Sequence, residues 1–234
     1  MIITSPTNAK LKEIRRLSRK RGRDAAGRFV AEGEDLLAAA AAAGWTPVEL
    51  FCTAGSGLEG TEVEPELLDR VSGLGSGSRA LGIFEERWGT PAGPVCVALF
   101  GVGDPGNVGT ILRSAAAFGA ASVALGPGCA DPFGPKAVRA SMGAIFELPV
   151  AKISAPNVLP GVKVALAARA GEPLRGGQGD SVSLLVGAER EGLSPAVLEQ
   201  ADVIAHIPIG SESLNAAMAA TVALYELTRA QETP

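Results

Sequence analysis

Three segments of this 234-residue chain gather the side chains best suited to chemistry. The first runs from Asn107 to Gly119 and carries Gly109, Arg113 and Phe118. The second runs from Leu184 to Ser194 with Gly187, Glu189, Gly192 and Leu193, and the third from Ile207 to Asn215 with Pro208, Ser211, Ser213 and Leu214. Amides, hydroxyls, one carboxylate and one guanidinium suit the positioning of a reactant and the stabilisation of developing charge. Other common devices are poorly supplied. His206 is the one histidine and sits in the strand-like VIAHIPI, where packing is the simpler role; histidine-rich metal sites and sites built on two imidazoles are excluded. Cys52, Cys96 and Cys129 are odd in number and lack a CxxC pair, so they read as small buried apolar residues rather than disulfide partners or zinc ligands.

The elements that must hold these segments follow from the apolar pattern. From Val95 onward, near-continuous apolar strands (VCVALF, SVAL, LPVAKI, VKVALAA, SVSLLVG, VIAHIPI) alternate with helical stretches, and a long C-terminal helix starts at Ser213. That texture predicts an α/β fold: a parallel sheet with helices on both faces. Ligands of such sheets bind beyond the carboxyl ends of the strands, so the three segments can converge on one crevice. The first part of the chain predicts a smaller α/β unit. Its opening helix is expected to be capped by Ser5, to carry Pro6 in its first turn and to run to Gly22 with Leu11, Ile14 and Leu17 inward. A strand then leads into an alanine-rich helix ending at Gly44, and a Gly/Pro-rich linker falls at about residues 85–94. No apolar run approaches the roughly 18 residues of a membrane span. The start of the chain is charged where a signal peptide is apolar, which makes the cytoplasm the expected compartment.

One motif points elsewhere. Gly101, Gly103 and Gly106 satisfy GxGxxG between a strand and a helix, the pattern of a nicotinamide dehydrogenase. That fold wants an acid at the end of the next strand to hold the ribose, yet this strand ends at Leu125, Gly126 and Pro127 and the next acid is Asp131. Pro105 also removes a backbone N–H from any phosphate cradle.

The formal net charge of -4 hides a strong asymmetry. Residues 1–28 hold nine lysines and arginines against two acids, a balance of +7, and the remaining 206 residues hold 12 basic and 23 acidic groups, a balance of -11. A local phosphate-binding surface on an acidic body has this form, and so does an amphipathic helix whose charges are simply solvated.

In this order and at these separations, the three segments resemble the signature motifs of the SpoU/TrmH-type RNA ribose 2′-O-methyltransferases of the SPOUT superfamily. The likeness extends to DPFGPKAVRASMGAIFELPV and to SPTNAKLKEIRRL and FVAEGEDLL near the N-terminus, which resemble the family's small RNA-binding domain. The resemblance implies an RNA substrate-binding domain over residues 1–90 and a catalytic domain over 91–234, whose C-terminal part is tied in a trefoil knot. It implies S-adenosylmethionine as cofactor, contacted by Gly187, Ile207 and Leu214, with Asn107, Arg113, Glu189, Ser213 and Asn215 around the transferred methyl and the target ribose. No metal is implied. A homodimer through the knot region and the C-terminal helix is expected, since LNAAMAATVALYEL is apolar almost all round. RNA is the expected partner, ribosomal RNA ahead of transfer RNA because the N-terminal domain resembles those of ribosomal RNA enzymes. A non-catalytic RNA-binding protein of the same fold is the alternative from another class. Many relatives carry Asn and Gly where this chain has Ala188 and Arg190, which turns Arg190 into a candidate RNA contact; Lys136 and Arg139 are candidates of the same kind.

The chemistry of such a transfer explains the residue types. A ribose 2′-hydroxyl must lose its proton as it attacks the methyl. Arginine is a poor base because its pKa lies above about 12. Arg113 is therefore expected to grip the phosphate beside the target ribose and stabilise alkoxide charge, while Asn215, with Ser213 capping the last helix, orients the hydroxyl. Glu189 is expected to order Asn107, Arg113 or the knot loop rather than to act as a base.

Overall fold

The computed structural model of the chain describes residues 2–73, 77–210 and 214–229. In chain order its elements are α1 (Ala9–Leu17), α2 (Lys20–Ala26), β1 (Arg28–Glu32), α3 (Glu34–Ala42), β2 (Glu49–Thr53), β3 (Thr61–Val63), α4 (Pro65–Val71), β4 (Ala80–Glu85), β5 (Val95–Leu99), α5 (Pro105–Ala117), β6 (Ser122–Leu125), α6 (Pro135–Ser141), α7 (Ala144–Glu147), β7 (Val150–Lys152), β8 (Val162–Leu166), β9 (Glu172–Pro173), β10 (Val182–Val186), α8 (Pro195–Leu198), β11 (Val203–His206) and α9 (Ala216–Arg229). Packing divides them into two units, residues 1–86 with 131–147, and residues 87–130 with 148–234.

The first unit is built on a sheet of order β1-β4-β2-β3, antiparallel except for the β2/β3 pair. Helix α1 buries Leu11, Ile14 and Leu17 as its spacing predicts. Its start differs from expectation. The Asn8 side chain accepts from the Lys10 N–H at 2.9 Å and caps the helix, while Ser5 turns back on Thr7. Its end differs too: Arg19 is extended and breaks the expected single helix, and α2 folds back on α1. That approach is close enough that a Cβ on Gly22 would stand 2.0 Å from the Arg16 carbonyl oxygen, so the position requires glycine.

Several of the nine N-terminal cations have partners inside this unit, Arg16 with Glu13 and Arg15 with the Pro6 carbonyl among them. Lys10 pairs with Glu49 and Arg28 with Glu13. Arg23, 4% exposed, grips Asp131 through Nε (2.9 Å) and Nη2 (2.7 Å), and its Nη1 donates to the carbonyls of Leu17 and Ser18 at the end of α1. Lys12, Arg15, Arg16, Arg19 and Arg21 line a cleft of about 470 Å³.

The segment 131–147 packs with this unit although sequence order puts it beyond the boundary at residue 90. Aromatic packing and the Arg23 pair are the physical reasons. Phe133 and Phe146 join Phe29, Trp45 and Phe84 in a cluster with centroid separations of 4.9 to 6.5 Å, and Trp45 donates from its ring N–H to the Phe146 carbonyl. Half of the chain's ten aromatic residues are in that one cluster.

The second unit carries the expected all-parallel sheet, of order β7-β6-β5-β10-β8-β11-β9. Strands β5, β6 and β10 are buried along their whole length, which accounts for their unbroken apolar sequence. Helices α5 and α9 pack with their chain directions alike, as the pairs Asn107–Asn215, Ser114–Thr221 and Phe118–Tyr225 show. Helix α9 buries Ala216, Ala217, Ala220, Ala223, Leu224 and Leu227; Met218, Val222 and Tyr225 are exposed. Among the described residues no helix is long and apolar enough to cross a membrane. Cys52 and Cys96 are buried thiols and Cys129 is half-buried; burial pushes the Cys96 and Cys129 thiols up from their ordinary value.

Replacing Asp131 by Asn leaves the Arg23 guanidinium buried without its counter-charge. Urea unfolding is expected to show a loss of about 3 kcal/mol, against less than about 0.5 kcal/mol for Arg79→Ala, which breaks an exposed pair with Glu34. Equal losses would show that the buried pair holds nothing in place.

Candidate functional site

Strands β10, β8 and β11 are neighbours in the sheet, and a cavity of about 610 Å³ lies beyond their carboxyl ends. Leu166, Ala167 and Ala168 enter it from β8, Val186 and Gly187 from β10, and Ile207 and Ile209 from β11. Leu214, Ala216 and Ala219 close it from α9. This is the crevice that parallel sheets offer to ligands, and its volume is that of a small-molecule site. Gly187, Ile207 and Leu214, the three expected cofactor contacts, all line it.

Glycine at 187 has a reason in the chain's own packing. A Cβ there would stand 2.2 Å from the Gly192 carbonyl carbon and 2.4 Å from the Leu193 nitrogen. Gly187 is required by the chain's own turn, in which Ala188 and Gly192 exchange both backbone hydrogen bonds at 3.1 and 3.0 Å. That turn presents Glu189, Arg190 and Glu191 on the cavity wall.

Glu189 joins the cavity to the two helices. It accepts a hydrogen bond from the Asn107 side-chain amide, and Asn107 accepts in turn from Asn215 Nδ2 at 3.1 Å. Asn215 uses its remaining oxygen to accept from the N–H groups of Ala217 (2.9 Å) and Met218 (3.3 Å), which caps α9. Three side chains from three distant segments are thus in one hydrogen-bonded chain. The N-terminus of α5 is fixed in the same way: Asp104 accepts from the Asn107 N–H at 3.0 Å, with Pro105 as the first helical residue. A carboxylate therefore occupies the helix start where a dinucleotide would need free N–H groups for its pyrophosphate, and the GxGxxG match is a helix cap. Sequence reading missed Asp104, although an acid before proline at a helix start is a readable signal.

Arg113 stands outside this chain of bonds. It is exposed on α5, about 9 Å along the helix axis from Asn107 at the usual rise, and has no hydrogen-bond or ion-pair partner among the described residues. Ser213 lies outside the described residues. His206 closes β11 with its Nδ1 buried and unpartnered. Lys136 and Arg139 are exposed on α6 in the first unit.

A parallel α/β unit thus carries a ligand cavity at its strand ends and an acid–amide chain at the cavity wall. The chain belongs to the SpoU rRNA Methylase family, whose model matches residues 94–225, from β5 into α9. A second model, the MRM3-like substrate binding domain, matches residues 8–73 in the first unit. The chain is 37% identical over 135 residues to the 23S rRNA (guanosine(2553)-2′-O)-methyltransferase RlmP of Bacillus subtilis, a match that covers 54% of each protein. It thus spans about half the length of that relative, and the same holds for several other curated relatives. An uncharacterized tRNA/rRNA methyltransferase of Synechocystis is 32% identical over 98% of this chain and 94% of its own. Among solved structures, an AdoMet-bound rRNA methyltransferase from Sinorhizobium meliloti superposes with a TM-score of 0.89 at 32% identity, covering 100% of this chain and 99% of that one.

Proposed function

We propose that this protein transfers a methyl group from S-adenosylmethionine to a ribose 2′-hydroxyl of structured RNA, ribosomal RNA in the first instance. The observation that carries the reading is the double position of Glu189, which lines the ligand cavity and at the same time holds Asn107. A transferase of this kind must join a small-molecule pocket to a site for a macromolecular acceptor, and Glu189 is where the two meet. The cavity fits the cofactor in kind: apolar walls from Leu166, Val186, Ile207 and Leu214 suit an adenine ring, and charged residues at one edge suit an amino-acid end. The names of the relatives and of the AdoMet-bound neighbour point the same way.

When bound, S-adenosylmethionine supplies a methyl group activated on a sulfonium. The residues of this chain position the acceptor. Asn215, which caps α9, orients the hydroxyl near the positive end of that helix, and the sequence motif assigns Ser213 to the same task. Glu189 keeps the Asn107 amide turned so that its oxygen accepts from Asn215. Arg113, which has no partner among the described residues, grips the phosphate beside the target ribose and lowers the free energy of the developing alkoxide.

In the same reading residues 1–90 are the RNA-gripping substrate domain and 91–234 the catalytic one, with 131–147 packed against the former. Five cations around one cleft form a surface for phosphates. The C-terminal part of the second unit is the trefoil knot of the family, and the protein acts in the cytoplasm, where its RNA is. Two copies associate through α9, whose exposed Met218, Val222 and Tyr225 recur at helical spacing.

Labelled S-adenosylmethionine incubated with separated ribosomal and transfer RNA is expected to label ribosomal RNA at a single ribose. Arg113→Ala is expected to slow the transfer about 100-fold with the affinity for S-adenosylmethionine changed less than about twofold. No label in either RNA, or an Arg113→Ala protein as active as the original, would overturn the reading. Sedimentation at micromolar concentration is expected to give twice the mass of the 23.7 kDa chain, and Tyr225→Glu to return it to a monomer. A monomeric unaltered chain would remove the dimer.

A further inference from the structure

The turn after β10 carries a charged group that the reaction above leaves unused. Its three tip residues are clamped by the paired backbone bonds of Ala188 and Gly192, and all three face the cavity. Glu189 is engaged with Asn107. Arg190 is exposed, has no partner among the described residues, and is the one basic side chain among the described residues lining the cavity. Among the described residues the remaining wall is apolar apart from Glu189 and Glu191, so the charge they bring is confined to one edge. A ligand with an aromatic base at one end and an amino acid at the other has only one favourable orientation there: base against Leu166, Val186 and Ile207, amino acid against the turn.

We propose that Arg190 binds the α-carboxylate of S-adenosylmethionine, an assignment that rests on the cofactor reading above. A guanidinium can hold a carboxylate through two parallel hydrogen bonds, and the clamped turn limits the orientations its backbone can take. The carboxylate does not change during methyl transfer. Arg190 therefore stabilises bound cofactor and transition state equally, and its removal raises KM and leaves kcat unchanged. In this it differs from Arg113, which acts on charge that develops only in the reaction. Here, then, the second motif reads the cofactor's amino-acid end instead of RNA phosphate.

Titration calorimetry on the full chain separates the possibilities by using S-adenosylmethionine and 5′-methylthioadenosine, which keeps the adenosine and the methylthio group and lacks the amino-acid end. Arg190→Ala is expected to weaken S-adenosylmethionine binding about tenfold and 5′-methylthioadenosine binding less than twofold, with Arg190→Lys between. Affinity for ribosomal RNA fragments is expected to stay unchanged. Equal weakening of both small ligands would show that Arg190 merely supports the turn, and unchanged S-adenosylmethionine binding with weaker RNA binding would place it on phosphate; either overturns the assignment. Failure of the unaltered chain to bind either small ligand would overturn the cofactor reading, and the assignment with it.

Discussion

The hydrogen-bonded chain from Asn215 through Asn107 to Glu189 is the constraint on which the rest of the site depends. Each amide in it serves two partners. Asn107 donates to a carboxylate on the cavity wall and accepts from the cap of α9; Asn215 gives its N–H to Asn107 and its oxygen to the first turn of α9. Neither amide can turn over without losing bonds at both ends, so the orientation of one fixes the other. The parallel packing of α5 and α9 makes this possible, because it brings the starts of both helices to the same end of the sheet, where their positive poles lie beside the cavity. Polar contact continues down the helix pair at Ser114 and Thr221, which holds the register.

Much of this was legible in the sequence because the determinants are local. Continuous apolar strands announced the parallel sheet, and Gly187, Ile207 and Leu214 line the cavity beyond the carboxyl ends of β8, β10 and β11. Other features were hidden because they are decided by residues far apart. Nothing near Arg23 in sequence reveals that it is buried against Asp131, 108 residues later, so it counted with the exposed cations. The allegiance of 131–147 was invisible for the same reason, since Phe133 and Phe146 complete an aromatic cluster whose other members precede residue 85. Short-range competition misled as well: Ser5 and Asn8 are both capping residues, and the one whose side chain reaches the Lys10 N–H starts the helix. The packing demand for glycine at 187 was hidden too, because its neighbour across the turn is this chain's own backbone.

Charge follows the same division between what is spent and what is left free. Lys10, Arg23 and Arg28 are paired within the first unit, while Lys12, Arg15, Arg16, Arg19 and Arg21 line one cleft, Arg16 there also meeting Glu13 and Arg15 the Pro6 carbonyl. In the second unit Arg113 and Arg190 have no partners among the described residues, one on α5 and one on the cavity wall. Burying an arginine with a fixed partner stabilises structure; leaving one unpaired beside a cavity reserves it for an anion. The proposed reactants carry two anionic groups for these two arginines, an RNA phosphate and a cofactor carboxylate.

The central claim is that Glu189 acts by holding Asn107, and a double-mutant cycle tests it most directly. Single-turnover methyl transfer would be measured for Glu189→Gln, Asn107→Ala and the two combined, with S-adenosylmethionine saturating. If the acid acts through the amide, the combined protein is no slower than the slower single variant. Losses that multiply would mean that Glu189 and Asn107 act independently, and would contradict the account.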